Sequence, residues 1–106
     1  MSPQEARPLL LAEGLSENSI PVAVRMGDDP GELRLDQVLK ALAVVIEHSR
    51  EIKYLDRVLM MALWAIAYHG EFQSESWQKN GRWRNGRFSE QIAEFALSVE
   101  KYISGS

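Results

Sequence analysis

Hydrophobic side chains recur at helical spacing through residues 36–69, a span that contains neither glycine nor proline. In its first half, Val38, Leu42 and Val45 fall on one side of a helix, and charged side chains fall on the opposite side. This segregation is typical of an amphipathic helix with one face in a core. The pattern therefore predicts a mainly α protein.

The same span is too long for one helix of a small domain, because globular helices usually run about 8–20 residues. We therefore expect a break near residues 48–53 and a helical hairpin of about 36–50 and 54–69. Asp36 is a suitable N-cap for the first helix, and Gly70 is a typical C-terminal stop for the second.

A further helix is predicted at about residues 89–103, where Ile92, Phe95 and Val99 form an apolar stripe after a capping Ser89. Residues 104–106 are small and polar, so we expect a flexible tail. The predicted core is thus a helical hairpin with a C-terminal helix packed on it.

Residues 20–35 show a different pattern. Ile20, Val22 and Val24 alternate with other residues, and residues 27–31 are rich in turn-forming types. A short N-terminal β-hairpin is one interpretation. The other is an extended segment that tucks its apolar side chains under the helices.

The first 19 residues are weakly patterned. Ser2, Pro3 and Glu5 resemble a helix start with a capping box, but Pro8 is expected to interrupt that helix. We expect a short helical turn that ends at Gly14, or a loosely ordered segment.

Composition narrows the protein class. The 106 residues are enough for one domain, and 45% hydrophobic with 25% charged residues are globular proportions. A net charge of −3 disfavours wholesale binding to nucleic acid or anionic membranes.

The longest apolar run, Val58–Ala67, is half of the roughly 20 residues that a membrane span needs. With no cysteine and no signal-peptide pattern, we expect a cytoplasmic protein.

The sequence contains few candidate catalytic residues. The chain has no cysteine nucleophile and no nucleotide-binding or hydrolase motif. His48 and His69 would lie about 20 Å apart in the predicted hairpin, too far to share a metal. We therefore expect no metal and no cofactor, and an enzyme ranks third among the function classes.

The second predicted helix carries an unusual second stripe at positions i, i+4, i+7 and i+11. It consists of Arg57, Met61, Trp64 and Tyr68. These residue types are enriched in protein interfaces, and Trp, Tyr and Arg are frequent hot spots. The sequence favours a non-enzymatic interaction module that binds another protein or a second copy of itself. The alternative is that the C-terminal helix and the N-terminal segment bury this stripe within the monomer.

A basic aromatic segment at residues 77–88 supports a different function. It contains Trp77, Lys79, Arg82, Trp83, Arg84 and Arg87. Basic and aromatic residues together can follow a phosphate backbone and stack on bases, so nucleic-acid or phosphate binding is the second hypothesis. The same residues suit a protein contact. They also suit a plain surface loop between 71 and 88 whose arginines pair with the acidic side of the first helix.

Overall fold

The computed structural model describes residues 1–49, 56–78 and 87–104. Within these ranges the chain forms five helices and no strand. They are α1 (Pro3–Leu15), α2 (Ile20–Arg25), α3 (Glu32–Ser49), α4 (Arg57–Gln78) and α5 (Phe88–Ser104). The predicted mainly helical fold is confirmed.

The four long helices form a ring in which α1 and α5 each pack against both α3 and α4. Among the described residues, α3 and α4 are not neighbours but lie diagonally across the bundle. The predicted helical hairpin is therefore wrong. The reason is that α1, which the sequence marked as weakly ordered, is a full helix that packs on both of them. The short α2 packs against α4 and α1.

Two polar contacts show the directions of the helices. Arg7 Nε donates to Asp56 Oδ2 at 2.6 Å, which places the beginnings of α1 and α4 together. The buried Gln91 donates from Nε2 to Asp36 Oδ1 at 2.8 Å, which places the beginnings of α5 and α3 together. The neighbours α1 and α4 are therefore parallel, as are α3 and α5. Asp36, the predicted N-cap, lies inside α3, which begins one turn earlier at Glu32.

Ion pairs close the end of the bundle where α3 and α5 begin, opposite the contact of Arg7 with Asp56. Arg34 forms a two-pronged contact with Glu13 at 2.5 and 2.6 Å and also donates to the Asn18 carbonyl. Arg87 Nη1 lies 2.5 Å from Glu32 Oε1. The end of α1 therefore meets the beginning of α3, and the two helices are antiparallel.

All five helices contribute to a single apolar core. Its largest fully buried side chains are Phe88, Phe95, Leu10, Ile20, Leu35, Leu42, Leu63, Ile66 and Ile92. Within the described part of the chain, no helix is both long enough and apolar enough to span a bilayer.

The predicted strand at residues 20–24 is the helix α2. Ser19 caps it, because its Oγ accepts from the Val22 N–H at 3.5 Å, and Pro21 occupies the first turn, where its missing N–H costs nothing. Ile20 and Val24 are one helical turn apart and both are fully buried. A stretch of only five alternating residues fits both the strand period of two and the helical period of 3.6. The packing of this segment on α4 favours the helix.

The turn signal that follows α2 was correct, but it joins two helices. Gly27 and Gly31 have φ angles of 83° and 93°, which side chains other than glycine rarely adopt. Asp29 Oδ1 accepts from the Gly31 N–H at 2.9 Å. The second half of the predicted hairpin is the first turn of α3.

Helix α1 begins as predicted, with the capping box between Ser2 and Glu5. The expected interruption at Pro8 is wrong, because Pro8 lies inside a continuous helix that ends at Leu15. Ala6, Leu10 and Gly14 share one side of α1 and are all buried. That packing outweighs the single backbone hydrogen bond that proline removes.

Gly70 does not end α4, which continues to Gln78. A Cβ built at Gly70 would lie only 2.6 Å from Ile92 Cδ1, so glycine here permits α5 to approach closely. The predicted loop from residue 71 therefore begins as helix. At its other end α4 begins after Asp56, whose Oδ1 accepts from the Leu59 N–H at 3.2 Å.

Candidate functional site

The outer side of α4 carries a row of exposed large apolar side chains. Their exposed fractions lie between 49% and 62%. We call this row the α4 face, and it consists of Val58, Met61, Trp64, Tyr68 and Phe72. The opposite side of the same helix supplies Leu59, Leu63 and Ile66 to the core. Helix α4 is therefore apolar on both sides, whereas a surface helix usually has a polar side facing solvent.

Three aromatic rings of the α4 face stack in sequence along the helix. The centroids of Trp64 and Tyr68 are 4.7 Å apart with an angle of 10° between the rings. Those of Tyr68 and Phe72 are 6.3 Å apart at 16°. Side chains four residues apart are neighbours on a helix, so each ring restricts the next. The result is a pre-ordered surface that loses little side-chain entropy when it is covered.

The neighbouring helices leave the α4 face uncovered because they pack on its other sides. A Cβ at Gly14 would lie 2.6 Å from Ala62, which shows how tightly α1 meets α4 at that position. The close contact of α5 with α4 is at Gly70 and Ile92. Burial of the stripe by the N-terminal segment and the C-terminal helix, the alternative that the sequence left open, therefore does not occur among the described residues.

Opposite charges flank the α4 face. Arg57 precedes Met61 by four residues, and Glu71 follows Tyr68 by three, so both continue the same line along the helix. Both side chains are exposed, and neither forms an ion pair with a residue of the ranges 1–49, 56–78 and 87–104. The apolar row thus has a positive end and a negative end.

The structure brings together the four residues of the predicted stripe, Arg57, Met61, Trp64 and Tyr68, on one exposed side of α4. Sequence reasoning missed Phe72, although it lies four residues after Tyr68. The helical spacing was the available signal, but the stop predicted at Gly70 cut the stripe short. Val58, at the margin of the row, was also missed.

The basic aromatic segment is described only at its two ends. Arg87 contacts Glu32 at 2.5 Å and Glu90 at 3.9 Å, which ties the beginning of α5 to the beginning of α3. Glu32 lies before the range of about 36–50 that the sequence predicts for the first helix, so this ion pair is not the pairing that the surface-loop alternative expects. Trp77 belongs to the helical backbone of α4, and Lys79, Arg82, Trp83 and Arg84 lie outside the described residues. Nucleic-acid or phosphate binding by this segment stays a prediction.

The two histidines occupy different parts of the bundle. His48 lies near the end of α3, and His69 lies in the second half of α4 beside the Tyr68 ring, at 5.3 Å. Among residues 1–49, 56–78 and 87–104, no group of three or more histidine, aspartate or glutamate side chains is placed to hold a metal ion. The α4 face is therefore the candidate site that the structure presents most clearly.

The pKa of His69 gives a test of the surroundings of the α4 face. Burial lowers this pKa below 6.5, and the positive charge of Arg25 lowers it further. Because the folded state disfavours the imidazolium, this group destabilises the fold as the pH falls below about 6.5. We expect an NMR titration of His69 with a midpoint below 6.5. Arg25→Gln should raise the midpoint but leave it below 6.5, because burial still lowers the pKa of His69. An unchanged midpoint would contradict the effect of the Arg25 charge.

Comparison of the chain with protein-family models, with curated protein sequences and with solved structures found no match in any of the three.

Proposed function

We propose that this chain is a non-enzymatic interaction protein that self-associates by pairing the α4 faces of two copies. The observation that carries the proposal is the row of stacked, half-exposed aromatic side chains at Trp64, Tyr68 and Phe72. Large exposed apolar patches on small domains mark interaction sites more often than they mark free surface. Trp and Tyr are also the residue types that dominate binding energy in interfaces.

The charges at the ends of the α4 face favour a second copy as the partner. Arg57 and Glu71 are fourteen residues apart, or about 21 Å along the helix, and Trp64 lies midway between them. If two α4 helices pair antiparallel about a two-fold axis at Trp64, each Arg57 faces the Glu71 of the other copy. A two-fold interface requires this kind of self-complementary surface.

The size of the surface sets the expected affinity. A large aromatic side chain offers about 150–250 Å², and the three rings of the α4 face are about half exposed. With Met61 and Val58 added, two copies would bury on the order of 1,000 Å². That is near the lower limit for a specific interface, so we expect a reversible dimer with a Kd on the order of micromolar.

Analytical ultracentrifugation over a wide concentration range tests the proposal with Trp64→Ser. Loss of a central tryptophan typically costs about 2 kcal/mol of binding free energy or more, so we expect the Kd to rise at least roughly thirtyfold. Circular dichroism should show unchanged helix content, because Trp64 contributes to the exposed side of α4 and not to the core.

Leu33→Ser is the matched control. Leu33 is 82% exposed but lies on α3, away from the α4 face, so its substitution should leave the Kd unchanged. A chain that stays monomeric up to about 1 mM, where even weak specific contacts associate, contradicts the proposal. So does a Trp64→Ser variant that dimerises like the parent protein.

A further inference from the structure

A second feature of the bundle is a cavity at the end where α1 and α4 begin and α3 and α5 end. Its volume is about 440 Å³, within the range of small-molecule sites. Its apolar lining includes Pro8, Val45, Leu59 and Tyr102, which come from all four long helices. An apolar cavity of this size between the helices of a bundle is a typical place for a small ligand.

The polar side chains of the lining are Gln4, His48 and the ion pair of Arg7 with Asp56. Their contact uses only the Nε of the guanidinium, and the terminal Nη groups of Arg7 make no hydrogen bond to a described residue. Asp56 is itself fixed, because its Oδ1 accepts from the Leu59 N–H at the beginning of α4. Arg7 is therefore held in place through Nε, and its Nη donors are not used by the residues that the structure describes.

We propose that this cavity binds a small amphipathic carboxylate, a function that goes beyond self-association through the α4 face. The hydrocarbon body would lie against Val45, Leu59 and Tyr102, and the carboxylate would accept from the Nη groups of Arg7. Planar carboxylates match the paired N–H donors of a guanidinium.

The charges of the Arg7–Asp56 pair favour a single negative charge on the ligand. Arg7 supplies one positive charge, and Asp56 neutralises part of it, so a dianion such as a phosphate monoester is less well balanced than a carboxylate. The N-termini of α1 and α4 lie on the Arg7 side, and their dipoles favour an anion there. The C-terminal parts of α3 and α5 contribute Val45 and Tyr102, where the hydrocarbon would lie.

The test is a titration of the full chain with octanoate, octylamine and octanol, followed by two-dimensional NMR of the backbone amides. We expect saturable shifts around Arg7, Leu59 and Tyr102 with octanoate, at a Kd on the order of 0.1–1 mM. Octanol should bind at least tenfold more weakly, because it cannot use the guanidinium charge. Octylamine should bind more weakly still, since it would place a like charge beside Arg7.

Two substitutions should change octanoate affinity in opposite directions. Arg7→Gln should weaken binding about tenfold, the loss of one charge-assisted contact. Asp56→Asn should tighten binding, because asparagine can still accept from the Leu59 N–H but no longer neutralises Arg7. Partial unfolding would weaken both variants, so opposite signs separate a binding effect from a folding effect.

Arg34→Gln is the matched control, since Arg34 pairs with Glu13 at the other end of the bundle and should leave octanoate binding unchanged. Trp64→Ser should also bind octanoate normally, so failure of the dimer and failure of the cavity site are distinguishable. Equal binding of octanol and octanoate would overturn the proposal. Octanoate shifts confined to the α4 face, or no saturable shifts, would overturn it as well.

Discussion

Gly14→Ala is expected to lower the free energy of unfolding by about 2–3 kcal/mol, although alanine is the better helix former by about 1 kcal/mol. The Cβ of alanine would lie 2.6 Å from the Cα, the Cβ and the carbonyl oxygen of Ala62. Two of these atoms are backbone, which no change of side-chain rotamer can move aside. Helices α1 and α4 would have to separate, and the core between them would lose packing along its length.

Urea unfolding followed by circular dichroism measures this loss. Gly70→Ala is the matched control, because the three atoms nearest to its Cβ all belong to the Ile92 side chain, with Cδ1 at 2.6 Å, and none is backbone. A side chain can shift at a smaller cost than the backbone of a packed helix, so this variant should lose less stability than Gly14→Ala. Adding Ala62→Gly to Gly14→Ala should recover part of the loss, since it removes one of the three contacts. Equal stabilities of Gly14→Ala and the parent chain would contradict the close approach.

Periodicity predicted the parts of the fold that follow local rules. The apolar spacing of α3 and α5 placed both helices to within a few residues, because a repeat near 3.6 that is sustained over several turns is specific to an α-helix. The capping box at Ser2 was also visible, since its two partners are three residues apart. Each of these signals is complete within one short stretch of chain.

The arrangement of the helices depends on contacts that no local pattern contains. Glycine is usual at the end of a helix, so the local pattern predicts a stop at Gly70, whereas its role depends on Ile92, twenty-two residues later. The predicted hairpin assumed that consecutive helices pack together. A third helix, α1, instead packs on both and keeps them diagonal, which follows from how Ala6, Leu10 and Gly14 fit the core.

The candidate site was predictable in its residues but not in its exposure. The spacing of Arg57, Met61, Trp64 and Tyr68 shows that they share one side of a helix. Whether that side faces solvent depends on where α1, α2 and α5 pack around α4. The cavity at the end of the bundle could not be predicted at all, because its lining converges from four separate helices.

Reversing the charge of Arg57 is expected to weaken the proposed dimer roughly thirtyfold. An exposed ion pair contributes about 0.2–1 kcal/mol, and Arg57→Glu replaces that attraction with repulsion between two carboxylates. By symmetry the pair with Glu71 occurs twice in the dimer, so the total loss is about 2 kcal/mol, which corresponds to that change in Kd. The Kd of the parent chain should also rise with salt, because both partners are exposed.

The double variant Arg57→Glu with Glu71→Arg identifies the orientation of the pairing. In an antiparallel pair the swapped charges again face each other, so the Kd should return to within about threefold of the parent value. In a parallel pair each Arg57 would face Arg57 of the other copy, and the single Arg57→Glu substitution would leave a like-charge contact as before. For a parallel pair, Arg57→Glu would therefore not raise the Kd thirtyfold, and adding Glu71→Arg would not restore it.

Lys40→Glu is the matched control for net charge, because it makes the same change of two units on the exposed side of α3. If it weakens the dimer as much as Arg57→Glu does, the effect is general repulsion between two more acidic chains and not the loss of a specific pair. If only Arg57→Glu weakens the dimer and Glu71→Arg repairs it, the α4 helices are antiparallel, with Trp64 near the two-fold axis. The aromatic row then supplies the affinity, and the charges at its ends fix the orientation.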